Sequence, residues 1–166
     1  MSQPRAIPGR MRREFASFYV DSYPAVARAL SVTLGDPDLG TEAADEAMAR
    51  CYSHWSKVQQ YENPAGWVFR VGLNWARSLR RRLARRPTGH RSEAEVEPTV
   101  ADPEIHRALM DLDVALRGVV VCRFLLDWSV KQTAEALDIR PGTVKSRTAR
   151  ALESLENKLY HYKNER

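Results

Sequence analysis

Apolar side chains recur every third or fourth residue along nearly all of this sequence and alternate almost nowhere, so the chain can bury them only as helices packed face to face. Phe15, Phe18, Tyr19, Tyr23, Val26 and Leu30 trace the first such stripe. The expected fold class is all-α. With 166 residues there is material for one ordinary domain or two small bundles, each with a modest core.

Punctuation between the stripes sets the organisation. A first helix is predicted over residues 11–34, with Pro24 able to bend it and Asp36-Pro37 ending it. Thr41 then caps a second helix over 41–58, with Ala44, Met48, Cys51, Tyr52 and Trp55 on one side and Glu42, Asp45, Glu46 and Arg50 largely elsewhere. Beyond a short polar loop, Asn63-Pro64 joins an N-cap residue to a proline at the first helical position and opens a third helix over 64–86. That helix begins apolar, with Trp67 read as core, and ends with six arginines in its last ten residues: Arg77, Arg80, Arg81, Arg82, Arg85 and Arg86. Residues 87–101 lack periodicity and set Glu93, Glu95 and Glu97 against Arg91, the composition of a flexible acidic linker. Asp102-Pro103 repeats the cap-and-proline signal and starts a second bundle, with a short helix and then an apolar one over 114–126. The expected organisation is therefore two small helical bundles, 1–86 and 102–166, joined by the linker 87–101.

The segment SVKQTAEALDIRPGTVKSRTARALESL, residues 129–155, is a helix-turn-helix pattern. Ser129 and Gln132 form a capping box for the first helix, and Asp138, Ile139, Arg140 and Pro141 make the turn. Ala134 is small where two crossing helices must approach, and Val130, Leu137, Ile139, Val144 and Leu152 supply apolar contacts. Thr143, Lys145, Ser146, Arg147 and Arg150 would face DNA, because arginine can donate two hydrogen bonds to a guanine edge while lysine and hydroxyls hold phosphates. A formal net charge of +5 is compatible with a polyanionic partner.

The run RPGTVKSRTARALESL, residues 140–155, together with the surrounding C-terminal half resembles region four of the extracytoplasmic-function sigma factors of bacteria. NPAGWVFRVGLNWARSLRRR, residues 63–82, resembles the part of their region two that binds and opens the minus-ten element. The resemblance implies an initiation factor with core RNA polymerase and promoter DNA, duplex and melted, as partners, and an anti-sigma factor as a possible third. It places Glu42, Asp45 and Glu46 on the clamp helices of the polymerase's largest subunit, Asn74 on the face that meets minus-ten DNA, and the loop 59–62 near a flipped base. Tyr61 could then stack on that base and Asn63 hydrogen-bond to it, while Arg77, Arg80 and Arg81 hold phosphates. The chain departs from the family pattern at Thr41 and Asp45, at Asp138, where glycine is common but aspartate tolerates the left-handed conformation, and at Ala149, where a larger residue often helps contact the minus-thirty-five element.

Other classes find little footing. His54, His90, His106 and His161 are scattered without zinc spacing, and neither a nucleophile-base pattern nor a phosphate-cradling glycine loop occurs, so no metal, cofactor or enzymatic activity is expected. Cys51 and Cys122 lie in apolar helical patterns and read as buried free thiols in a reducing cytoplasm. No stretch has the length of a membrane span or the apolar core of a signal peptide. The main alternative is a stand-alone helix-turn-helix regulator acting without polymerase, and an adaptor that reads no DNA is a third class.

Overall fold

A computed structural model describes residues 7–85 and 100–165. Among them the chain forms helices and connecting turns, with no strand. The first helix, α1, runs Gly9–Leu34 with Pro24 inside it, and stops where Gly35 enters the left-handed region (φ 66°) and donates to the carbonyls of Ser31 and Val32. Only Gly35 and Asp36 separate it from α2, Pro37–Ser53. The expected start at Thr41 is therefore corrected: Asp36 is the cap, its carboxylate accepting from the Leu39 amide at 3.0 Å, with Pro37 at the first helical position. The pair that stops one helix also starts the next, and Thr41 sits inside α2 with its hydroxyl donating to the Pro37 carbonyl. The same helix ends sooner than periodicity suggests. His54 departs from helical geometry (φ −113°, ψ 16°), and Trp55–Val58 form a separate turn, α3.

Asn63-Pro64 opens α4, Pro64–Ala84, as anticipated, and Asp102-Pro103 opens α5, Pro103–Met110. The helix expected over 114–126 is instead α6, Val114–Val120, continued by a π-helical turn, Val121–Leu125. The helix-turn-helix is α7, Val130–Leu137, and α8, Pro141–Asn164. Residues 87–99, most of the predicted linker 87–101, lie outside the described residues.

Helices α1, α2 and α4 pack on one another around Val26, Leu30, Ala43, Ala47, Val68 and Phe69, all essentially fully buried. Gly40 makes the α1–α2 contact possible, since a Cβ there would stand 2.4 Å from the Ser31 Cα. The same apolar cluster continues without a break into the C-terminal half, through Leu109, Leu112, Val121, Cys122, Trp128 and Ala151. Phe69 and Trp128 meet edge to face across the junction at 5.9 Å. A small separate cluster of Val119, Ala134 and Val144, with Val130, Leu137 and Ile139 against it, holds the helix-turn-helix together.

Two apolar assignments need correction. Leu152 is 43 % exposed, because eight residues at about 100° each carry it about 80° round the helix from Val144, and Ala151 takes the inward place. Tyr52 is 37 % exposed and rests at the rim against Phe15. Cys51 and Cys122 are buried free thiols.

Candidate nucleic-acid interface

Local bonding fixes the helix-turn-helix more than burial does. The Ser129 hydroxyl accepts from the Gln132 amide at 3.0 Å while the Ser129 amide donates to Gln132 Oε1 at 2.9 Å, closing the capping box. Asp138 takes the left-handed conformation (φ 55°, ψ 48°) expected of it, and the Ile139 amide donates to the Ala134 carbonyl at 3.0 Å. The chain thus leaves α7 in a defined direction and enters α8 at Pro141. Along α8, Val144 and Ala151 point into the protein, Lys145, Ser146 and Arg150 are exposed, and Thr143 and Arg147 are half-buried. All five expected residues therefore lie toward the N-terminal end of α8, with Val144 and Ala151 forming its buried line.

On α4 the spacing from Arg70 to Asn74, Arg77 and Arg81 puts these four on one stripe. Asn74 and Arg81 are exposed, and Arg77 is half-buried with its pKa lowered, chiefly by burial and then by the positive charges of Arg147 and Arg81. Arg70 was not singled out by sequence reasoning, although the helical spacing from Asn74 could have found it. Arg80 behaves differently from expectation. It turns off that stripe, and its Nη2 donates to the Leu34 carbonyl at 2.6 Å, satisfying the C-terminus of α1.

The loop before α4 contributes an exposed Tyr61 and the cap Asn63, whose Oδ1 accepts from the Gly66 amide at 3.2 Å. The Asn63 Nδ2 is buried without a partner. Both residues line a cavity of about 510 Å³ shared with Trp67 and Arg70, large enough for a planar ring beside a hydrogen-bonding edge.

The acidic trio lies on α2. Glu42 and Asp45 are exposed, and Glu46 pairs with Arg50 at 2.8 Å. The Tyr23 hydroxyl donates to Asp45 Oδ1 at 2.6 Å, which fixes that carboxylate and raises the Tyr23 pKa to about 12, the hydrogen bond being the largest cause. Beside this face stand Phe15, Tyr19 and Tyr52, with Tyr19 stacked on Tyr23 at 4.9 Å. Among the described residues no His, Cys, Asp and Glu cluster could hold a metal ion, and no helix is long and apolar enough to cross a membrane.

Comparison with known proteins agrees with this anatomy. Residues 103–155 match the family model described as Sigma-70, region 4. The RNA polymerase sigma-E factor of Streptomyces antibioticus is 30% identical over 154 residues, covering 88% of this chain and 84% of that protein. The sigma-E factor of Streptomyces coelicolor is 29% identical over 154 residues, covering 88% and 86%, and the ECF sigma factor SigM of Mycobacterium tuberculosis is 31% identical over 134 residues, covering 76% and 65%. Among solved structures, the sigma factor RpoE of Bartonella quintana, in complex with the anti-sigma factor NepR, has the same fold. It gives a TM-score of 0.74 at 17% identity, over 89% of this chain and 98% of that one. The helix-turn-helix and the helical bundle before it are thus matched together and in order, and the chain belongs to the extracytoplasmic-function group of RNA polymerase sigma factors.

Proposed function

We propose that this sigma factor binds core RNA polymerase through the acidic face of α2, captures the minus-ten element on α4 and its preceding loop, and reads the minus-thirty-five element with α8. Glu42, Asp45 and Glu46 dock on the clamp helices of the largest subunit. Asn74, Arg77 and Arg81 lie along the minus-ten strand, with Tyr61 stacking on an extruded base and Asn63 offering its unpaired amide to that base's edge. Thr143, Lys145, Ser146, Arg147 and Arg150 enter the duplex groove, hydroxyls and lysine holding phosphates and arginines reaching base edges. The division of labour follows the segments 1–86, 87–101 and 102–166. Bond making belongs to the polymerase, and this chain acts by binding alone, in the cytoplasm, without a cofactor. An anti-sigma partner would act by covering the acidic helix or a basic face.

The observation that carries this reading is the exposed line of Asn74 and Arg81 on α4, flanked by a cavity holding an aromatic ring and an unpaired amide. Run-off transcription from genomic fragments with purified core polymerase tests it. Transcripts with defined starts should depend on this protein and fall at least about tenfold with Asn74→Ala or Arg150→Ala, the loss of roughly one good contact each. Duplex binding without polymerase and no transcript would replace the reading with a stand-alone regulator.

A further inference from the structure

Beside the acidic residues of α2 the aromatic side chains do more than fill the core. Phe15 and Tyr19 of α1, with Asp45, Met48, Ala49 and Tyr52 of α2, line a shallow cavity of about 350 Å³. Phe15 meets Tyr52 edge to face at 5.0 Å and lies 6.2 Å from Tyr19. Tyr19 and Tyr52 are each 37 % exposed, so part of each ring faces solvent. The walls are thus largely apolar and aromatic, and Asp45 is the charged residue among those that form them.

That carboxylate is held in place. Tyr23, one turn beyond Tyr19 on α1, donates its hydroxyl to Asp45 Oδ1 at 2.6 Å, and its ring stacks on Tyr19 at 4.9 Å with 16° between the planes. An exposed aspartate otherwise exchanges between rotamers, and ordering it costs free energy when a partner arrives. Here the stack fixes the phenol and the phenol fixes the carboxylate, so the ordering is done on folding. The donor is neutral, which leaves the negative charge whole, and the second carboxylate oxygen can accept from outside. Glu46 differs, since it is already paired with Arg50 at 2.8 Å along its own helix.

A cation on a long apolar stem suits this combination. A guanidinium stacks on aromatic faces and pairs with a carboxylate in the same pose, whereas the ammonium of lysine is compact and strongly hydrated. We propose that Tyr23 is a positioning residue for polymerase docking: it holds Asp45 beside the Phe15, Tyr19 and Tyr52 rings, and the cavity with its carboxylate receives one arginine side chain of the core enzyme. This rests on the assignment of the α2 acidic face to core polymerase. Asp45 is a position at which the chain departs from the family pattern, and the bond from Tyr23 gives that departure a use. Loss of the hydroxyl leaves the charge but unfixes it, so core affinity falls while the level of transcription reached at saturation does not.

The test is a titration of core RNA polymerase into the full chain labelled with a fluorophore at its C-terminus, read by anisotropy. Tyr23→Phe keeps the ring and removes the hydroxyl. It should weaken binding about 3- to 10-fold, the effect of one more side chain to be ordered on association, and run-off transcription should return to the unaltered level once the variant saturates the polymerase. Asp45→Ala should weaken binding about tenfold or more, with a larger loss at low salt than at high. On the Asp45→Ala background, Tyr23→Phe should have no further effect. An equal loss on both backgrounds makes Tyr23 structural only and overturns the proposal, as does unchanged binding by Tyr23→Phe when Asp45→Ala binds weakly. Affinity lost with Tyr52→Ala but kept with Asp45→Ala means an apolar occupant and overturns the arginine. Unchanged binding by the triple variant Glu42→Ala, Asp45→Ala, Glu46→Ala defeats the assignment of α2 itself, and this inference falls with it.

Discussion

The two halves of this sigma factor are made of the same material, amphipathic helices opened by a cap and often a proline, yet they stay folded by different means. In the N-terminal half, three long helices enclose Val26, Leu30, Val68 and Phe69 among themselves. Among the described residues of the C-terminal half, Val119, Ala134 and Val144 form a private cluster, and other buried residues, Leu112, Val121 and Trp128 among them, belong to the cluster of the other half. The difference teaches where rigidity comes from. The first half is stiffened by burial, which is cooperative and long-range. The helix-turn-helix is stiffened by the Ser129 capping box and the left-handed Asp138, which act within a few residues and survive a change of neighbour.

The most severe way to test that contrast is Gly40→Val. Its Cβ would meet the backbone of Ser31 at 2.4 Å, and backbone cannot step aside, so a loss of about 4 kcal/mol or more is expected in urea denaturation. Because the C-terminal half leans on the first, the circular dichroism of both should be lost in one transition; a surviving helical plateau would show that α5 to α8 stand alone. Trp128→Ala acts at the junction, with an expected cost of about 3 kcal/mol from the cavity and the lost contact with Phe69. If the halves are coupled as described, the same substitution should split one unfolding transition into two.

The mildest test compares the thiols. Burial pushes Cys51 up to about 12, and Cys122, in the other half, is raised further by the same cause. The unfolded chain therefore releases thiol protons from about pH 9 upward while the folded chain retains them, so stability is complete below that pH and declines through the window up to about 12 for Cys51. Between pH 9 and 10.5 each thiol should cost about 1–2 kcal/mol. Urea midpoints across this range should flatten in Cys51→Ala and in Cys122→Ala, with Tyr23 leaving a background common to both. A flatter response only for Cys51→Ala would mean that the second half already opens to water.

Much of the fold was legible because its signals are local. Asn63-Pro64, Asp102-Pro103, the Ser129 box and the turn at Asp138 each state their geometry within four residues, and each is found as read. The failures share a physical cause. Asp36-Pro37 serves two helices at once, so reading it only as a terminator displaced the start of α2 to Thr41. The π-helical turn at Val121–Leu125 leaves no trace in a sequence whose apolar run suits an ordinary helix equally well. Arginine is the hardest residue to place, because the same guanidinium suits a phosphate, a base edge or a helix-end carbonyl. Arg77 and Arg81 lie on the α4 stripe whereas Arg80, in the same run, is bound to Leu34, and Arg117 reaches a carbonyl 84 residues away. Contacts of that span cannot be inferred from periodicity.

The bond from Arg117 to the Thr33 carbonyl joins a cation that keeps its proton throughout the range of pH a living cell visits to a dipole that never titrates. Swings in acidity of a few pH units therefore leave this bond between the halves as it is.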